Sequence, residues 1–252
     1  MTGLEGRAAV VFGAARPPGI GAAVARRLTR AGARVACVEH VGVGAGQTFG
    51  ASATAVEKLA EELGAVAIPV DLFDGASIEA SVAAAVDALG PIGLAANLSG
   101  GTGIGNGPLL DLEPAEWERS IAVNLTSAWR ISRALAVHMK NGGAIVHLSS
   151  YVTREPAAGF GAFAVAKAGV QMLTRALGRE LAPRGIRVNA VAPLGVGGPV
   201  GNPGLAAVLA GPDEIPLGRY QSPDEVAAVV LHLLSGDASF VTGETVYVAG
   251  GA

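Results

Sequence analysis

The sequence predicts an α/β domain built on a doubly wound parallel sheet of about seven strands, and three observations carry that expectation. Short apolar runs alternate with longer amphipathic segments along the whole chain. The short runs are apolar at nearly every position rather than at every second one, the pattern of strands buried on both faces. Prolines, glycines and small polar residues stand where the amphipathic segments should begin and end.

Strands are read at residues 7–12, 33–39, 65–70, 94–97, 144–149, 186–192 and 245–248. Helices are read at 20–31, 55–63, 76–89, 114–139, 161–182 and 224–234. Pro114 and Pro223 suit first turns, where a missing N–H costs nothing. Ser222 suits an N-cap, and Gly32, Gly64 and Gly90 follow helix ends. Strand–helix alternation implies parallel pairing through right-handed crossovers. No linker or repeat interrupts it, so residues 1–252 are expected to form one domain. Three loops, 40–54, 98–111 and 193–213, are long or glycine-rich and follow strands at the edge where such sheets bind ligands.

Half of the 252 residues are hydrophobic and 15% are charged, which supports a large core. A net charge of −3 gives no electrostatic reason to expect nucleic acid or an anionic membrane as partner. No apolar stretch reaches the ~20 residues of a membrane helix, and no leader pattern is visible. The one cysteine, Cys37, lies in an apolar run and reads as a small buried hydrophobe. A reducing, cytoplasmic setting is expected. His40, His138 and His232 show no ligand spacing, so no metal site is expected.

The first strand runs into Gly13-Ala14-Ala15-Arg16-Pro17-Pro18-Gly19-Ile20-Gly21 and then a helix. Glycines allow a tight turn and let backbone N–H groups approach a pyrophosphate at a helix N-terminus. Strand before and helix after favour a Rossmann-type dinucleotide site over the competing reading, an ordinary glycine-rich turn. Glu39 ends the second strand. A carboxylate there can accept hydrogen bonds from the ribose of NAD and repel the 2′-phosphate of NADP; a solvated strand-end charge is the competing reading. Arg16 could hold that phosphate, so NAD(H) is favoured and NADP(H) stays open.

The remaining motifs resemble those of the short-chain dehydrogenase/reductase family, and the resemblance covers nearly the whole chain. The glycine turn matches the family's Gly-x3-Gly-x-Gly with two extra residues. Asp71-Leu72 resembles the adenine-contacting pair, and Asn97-Leu98-Ser99-Gly100 stands where the family has Asn-Asn-Ala-Gly. Asn124 matches a structural-catalytic asparagine, and Ser150 ends the strand as the catalytic serine. Arg187-Val188-Asn189-Ala190-Val191-Ala192-Pro193 is a family signature, with Pro193 and Val196 expected beside the cofactor. The resemblance implies homodimers or homotetramers, a small substrate and a Tyr-x-x-x-Lys pair after the serine. Here Phe163 precedes Lys167 by four, one face of one helix. Phenylalanine keeps the ring and loses the proton-exchanging oxygen. Ribose binding by Lys167 should survive.

Other departures are Phe12 before Gly13, Leu98 for asparagine, Leu194 after Pro193, Gly198 for a threonine, and Pro17 and Pro18, which have no N–H to offer a phosphate. Tyr151 could present a replacement phenol or be a pocket wall. His147 reads as a packing histidine, and Arg154 and Glu155 as a surface ion pair. Segment 194–215 reads as a lid over an apolar substrate or as a plain surface loop. Two function classes remain. One is an NAD(H)-dependent oxidoreductase for a hydrophobic carbonyl or alcohol, with its proton from Tyr151, water or the substrate. The other is a non-redox enzyme or regulatory protein that keeps the nucleotide site.

Overall fold

The computed structural model describes residues 1–15, 19–41, 52–139, 142–195 and 211–252. Its strands are β1 (Ala8–Phe12), β2 (Arg34–His40), β3 (Val66–Val70), β4 (Ile92–Asn97), β5 (Gly143–Leu148), β6 (Ile186–Pro193) and β7 (Thr245–Val248). They form one parallel sheet in the order β3-β2-β1-β4-β5-β6-β7. The α-helices are α1 (Ile20–Arg30), α2 (Ala53–Leu63), α3 (Gly75–Leu89), α4 (Pro114–Ile121), α5 (Ser127–His138), α6 (Gly161–Leu181) and α7 (Pro223–Leu234). The expected doubly wound architecture is what the chain adopts. The strand order reverses between β1 and β4, which opens a crevice at their carboxyl ends.

The continuous apolar runs follow from burial on both sides. In β1, Ala9 and Val11 join the layer made by Val24 and Leu28 of α1, Leu59 of α2 and Val230 of α7. Ala8, Val10 and Phe12 join the layer made by Ile78 and Val82 of α3, Ile131 and Leu135 of α5 and Leu177 of α6. Successive side chains leave opposite faces of a strand, so neither face of β1 can be polar. Cys37 lies inside the first layer, and burial pushes its thiol up to about 12.

Helix ends carry the expected chemistry. Ser222 accepts from Glu225 N and Glu225 reaches back to Ser222 N, a reciprocal capping box for α7. Gly64 ends α2 in the left-handed conformation. At the amino edge of the sheet, arginines cover carbonyl ends: Arg34 donates to Leu89 O of α3 at 2.6 Å, Arg184 to Met139 O after α5 at 2.9 Å, and Arg187 to Leu233 O of α7 at 2.6 Å. Cations there oppose the negative ends of the helix dipoles.

The structure corrects one expected element. Residues 114–139 are not one regular helix, because α4 and α5 are joined by a π turn, Ala122–Thr126, around Asn124. The Ser120 carbonyl takes a hydrogen bond from the Asn124 side chain at 3.2 Å, so the wider turn leaves it satisfied. Among the described residues, no helix is long and apolar enough to cross a membrane.

Candidate active site

The carboxyl ends of β1, β2, β4 and β5 and the start of α6 bring the expected residues to one edge of the sheet. Gly13 has φ +73°, and a Cβ there would fall 2.8 Å from Leu98 O. A Cβ on Gly21 would fall 1.9 Å from Gly13 O. Both positions therefore exclude any larger residue. Gly19 caps α1 in extended conformation, Ile20 opens the helix, and no acidic residue stands in its first turn. That end carries open N–H groups and positive dipole, the surround a pyrophosphate requires. Arg16 and Val196 lie outside the described residues, as do Pro17, Pro18, Gly198, most of loop 40–54 and residues 196–210 of the expected lid.

Glu39 is not a solvated strand-end charge. It is 4% exposed, and its carboxylate accepts from Ala15 N at 2.7 Å and from His40 N at 2.9 Å. It thus fastens the glycine turn to β2. His40 is buried beside it and accepts from Leu72 N at 3.3 Å. Asp71 is held by Ser77, which accepts its N–H at 2.9 Å, and its carboxylate takes Phe73 N at 3.0 Å. The Asp71-Leu72 turn is therefore tied to both β2 and α3.

Asn97 sits in a buried polar chain. Its Oδ1 accepts from Ser99 Oγ at 2.6 Å, and its Nδ2 lies 3.4 Å from His147 Nδ1. His147 Nε2 lies 3.1 Å from Ser132 Oγ, which donates to Ala128 O. Because the serine proton is spent on Ala128, the imidazole must donate from Nε2 and accept at Nδ1. Burial, and then the charge of Lys167, hold His147 down to about 4, so it is neutral. The packing role read from the sequence is the one observed.

Asn124, Gly100 and Lys167 converge. Asn124 pairs reciprocally with the Gly101 backbone, accepting at 3.0 Å and donating at 3.1 Å, which clamps loop 98–111 to the π turn. A Cβ on Gly100 would fall 2.5 Å from Asn124 Oδ1 and 3.4 Å from Lys167 Nζ. Lys167 is 2% exposed, and its Nζ donates to Leu148 O at 2.8 Å and lies 5.6 Å over the Phe163 ring. Burial without a facing carboxylate pulls its ammonium down to about 8. Phe163 is buried against Val152 and Ala164.

Ser150 caps the short turn Tyr151–Thr153, its Oγ accepting from Val152 N at 3.4 Å, and its hydroxyl donates to no partner among the described residues. Tyr151 turns the other way. Its ring meets Tyr247 edge-on at 6.5 Å and packs with Leu194, Ile215, Ala249 and Tyr220. Arg154 does not pair with Glu155 among the described residues; its guanidinium lies 4.0 Å over the Tyr247 ring. Pro193 ends β6 opposite Val248. A residue the sequence reading passed over is Gln171, one turn beyond Lys167. Its amide donates to Ser149 Oγ at 3.0 Å, Thr153 Oγ1 at 2.7 Å and Tyr247 OH at 3.0 Å, holding the serine loop on α6. The i+4 spacing from Lys167 was the available signal.

Residues 13–252 match the family model described as enoyl-(acyl carrier protein) reductase. The chain is 36% identical to the 3-oxoacyl-(acyl-carrier-protein) reductase FabG of Vibrio harveyi, over 98% of both chains. It is 36% identical to the 3beta-hydroxysteroid dehydrogenase 1 of Eggerthella lenta, over 98% of this chain and 94% of that one. A solved short-chain dehydrogenase/reductase from Serratia marcescens superposes with a TM-score of 0.84 at 30% identity, over 98% of both chains. Similarity of sequence and of backbone thus runs together over almost the whole length, and the chain belongs to the short-chain dehydrogenase/reductase family of oxidoreductases.

Proposed function

We propose that this oxidoreductase binds NAD(H) and acts on a hydrophobic carbonyl or alcohol, with Phe163 standing where the family's tyrosine exchanges the proton. The observation that carries the reading is the Phe163 ring 5.6 Å from Lys167 Nζ, one turn before it on α6. The glycine turn fits a dinucleotide: Gly13 and Gly21 leave no room for a Cβ, and α1 opens without an acid. Gly13, Gly19, Ile20, Gly21, Asp71, Leu72, Asn97 and Pro193 would hold it, with Lys167 at the ribose. The buried Glu39 carboxylate supports NAD(H), because a 2′-phosphate brought beside it would be repelled. When bound, the nicotinamide supplies or accepts the hydride.

Ser150 donates its free hydroxyl proton to the substrate oxygen as a hydrogen bond and polarises it. Lys167 places a cation beside the ribose. Asn124 holds the Gly101 end of loop 98–111 against the π turn. The proton itself comes from Tyr151, on the β7 wall, or from water. An apolar substrate is supported by the cluster of Tyr151, Leu194, Ile215 and Ala249. Leu194 and Ile215 belong to one cluster, so segment 194–215 starts and ends at the same place and is read as its cover. The steroid alcohol named for the Eggerthella relative is a substrate of that kind. Exposed Trp117, Trp129, Val137 and Met172 on α4, α5 and α6 support assembly as a homodimer or homotetramer.

Phe163→Tyr tests the reading. It restores one hydroxyl beside Lys167, and NADH oxidation with a ketone panel should rise by up to ~10²-fold, the lower range of acid–base assistance. Cofactor affinity should change little. If both proteins bind NADH and neither reduces a ketone, the phenol is not what the site lacks and the redox reading fails.

A further inference from the structure

A second cavity, of about 660 Å³, opens at the amino edge of the sheet. The five residues of β1 separate this edge from the glycine turn, roughly 17 Å at the rise of a parallel strand. Its walls include Arg7, Arg187, Gly143, Gly185, Ser239 and Phe240, and no Asp or Glu lines it. The Phe240 ring at its rim is fully exposed.

The two arginines are held there by the backbone. Register between β1 and β4 slips at Ala8/Ala9, where Gly93 is the extra residue. A Cβ on Gly93 would fall 2.4 Å from Arg7 Nη2 and 2.5 Å from Nε, so the guanidinium lies against the strand where a side chain would be. Arg7 donates from Nη2 to Gly93 O at 3.0 Å, the one hydrogen bond of its side chain among the described residues. Arg187 spends Nη1 on the carbonyls of Leu233 and Val241, at 2.6 and 3.5 Å, and Nη2 on those of Leu234 and Ser235, at 3.3 and 2.9 Å, which leaves Nε as its donor with no described partner. Neither forms an ion pair among the described residues. They act on each other instead: burial, and then the charge of Arg7, lower the Arg187 pKa.

Two like charges share a half-buried cleft with no carboxylate in its lining among the described residues; the carbonyl end of α7 offsets part of the Arg187 charge, and no ion pair offsets that of Arg7. Such a pair gains from an anion more than an exposed cation does, since less water screens it. The planar fork of Arg7, with Nε and Nη1 unspent among the described residues, suits the paired oxygens of phosphate or carboxylate, and Arg187 adds its charge and Nε. We infer that this cavity is an oxyanion site, which takes the phosphate or carboxylate group of a small molecule between Arg7 and Arg187 with its apolar part against Phe240. The site is independent of the dinucleotide edge.

The test is calorimetric titration of the full chain with inorganic phosphate and, separately, citrate. Ionic strength is held constant with sodium chloride, and each titration is run with and without saturating NADH. Saturable binding should persist with NADH present. Arg7→Gln should weaken it by ~10-fold or more, the worth of one charge-assisted hydrogen bond. Ser239→Asp should do the same. It adds a carboxylate at an exposed position whose side chain makes no hydrogen bond among the described residues, so folding is not at stake. Tighter citrate than phosphate would assign the head group as carboxylate, and the reverse as phosphate. Absence of saturable binding to either, loss of binding when NADH fills its own site, or binding unchanged in both variants would overturn the inference.

Discussion

Lys167→Met is expected to make the free protein more stable at neutral pH, although it removes a site residue. Lys167 is 2% exposed and faces no carboxylate among the described residues, and burial pulls its ammonium from 10.5 to about 8. That displacement corresponds to roughly 3 kcal/mol of penalty on the charged folded state below about pH 8. Methionine fills a similar unbranched volume without charge. The substitution also forfeits the bond to Leu148 O, about 1 kcal/mol, and the contact with the Phe163 ring, at most about 1 kcal/mol. The net expectation is a gain of about 1 kcal/mol at pH 7, or ~2–4 °C in Tm for a domain of this size. Its pH dependence is the sharper signature. In the folded state the amine loses its proton at about 8, whereas in the unfolded chain it keeps it to about 10.5. The wild-type penalty is therefore complete below about 8, fades as pH rises through that window and is gone above about 10.5. Urea titrations of both proteins from pH 7 to 10.5 should show the variant more stable at first and the wild type more stable at the end. A difference that stays flat across this range, or a wild type already more stable at pH 7, would refute the reasoning.

Gly21→Ala should cost about 3 kcal/mol or abolish folding, because its Cβ would stand 1.9 Å from Gly13 O inside a tight turn; circular dichroism on heating, with NADH fluorescence titration, would expose an error if both matched wild type. Glu39→Gln keeps shape and removes charge, so the ratio of NAD(H) to NADP(H) affinity should narrow by ~10-fold, about 1.4 kcal/mol. An unchanged ratio by calorimetry would mean that Glu39 serves the glycine turn alone. Ser222→Ala removes the reciprocal cap of α7 and should lower stability by about 1 kcal/mol in urea titration; a shift under 0.3 kcal/mol would show that Pro223 and Glu225 suffice.

The sheet was legible because burial on both faces writes itself as unbroken apolar runs, as in Val10, Val11 and Phe12. Helix ends were legible at Ser222 and Gly64, where one residue type answers one geometric need. The site was legible as a set of residue types at fixed spacings, and the structure brings Asn124, Gly100 and Lys167 together. What was not legible is direction. Glu39 reads as an accessible carboxylate, but Ala15 N turns it inward. Tyr151 follows Ser150 in sequence, yet the short turn Tyr151–Thr153 sends successive side chains apart, so it joins the β7 wall while Val152 meets Phe163. The π turn left no mark because its residues are as helical as their neighbours. The Arg7 slot depends on a bulge that no composition announces.

That π turn makes the long helix a device for setting phase. One residue corresponds to about 100° of helix rotation. The extra residue around Asn124 therefore sets the orientation of α5 relative to α4 about their common axis. α4 is seated on α6, and α5 on α3. Deleting one residue between Ala122 and Thr126 would restore a regular helix, but it would turn Ile131 and Leu135 away from the sheet or turn the buried Ser120 outward. A shorter, locally better helix is thus incompatible with either anchor. Chains built on this plan are expected to gain or lose residues in the loops before Pro114 and after His138, and to keep the count between those two residues fixed.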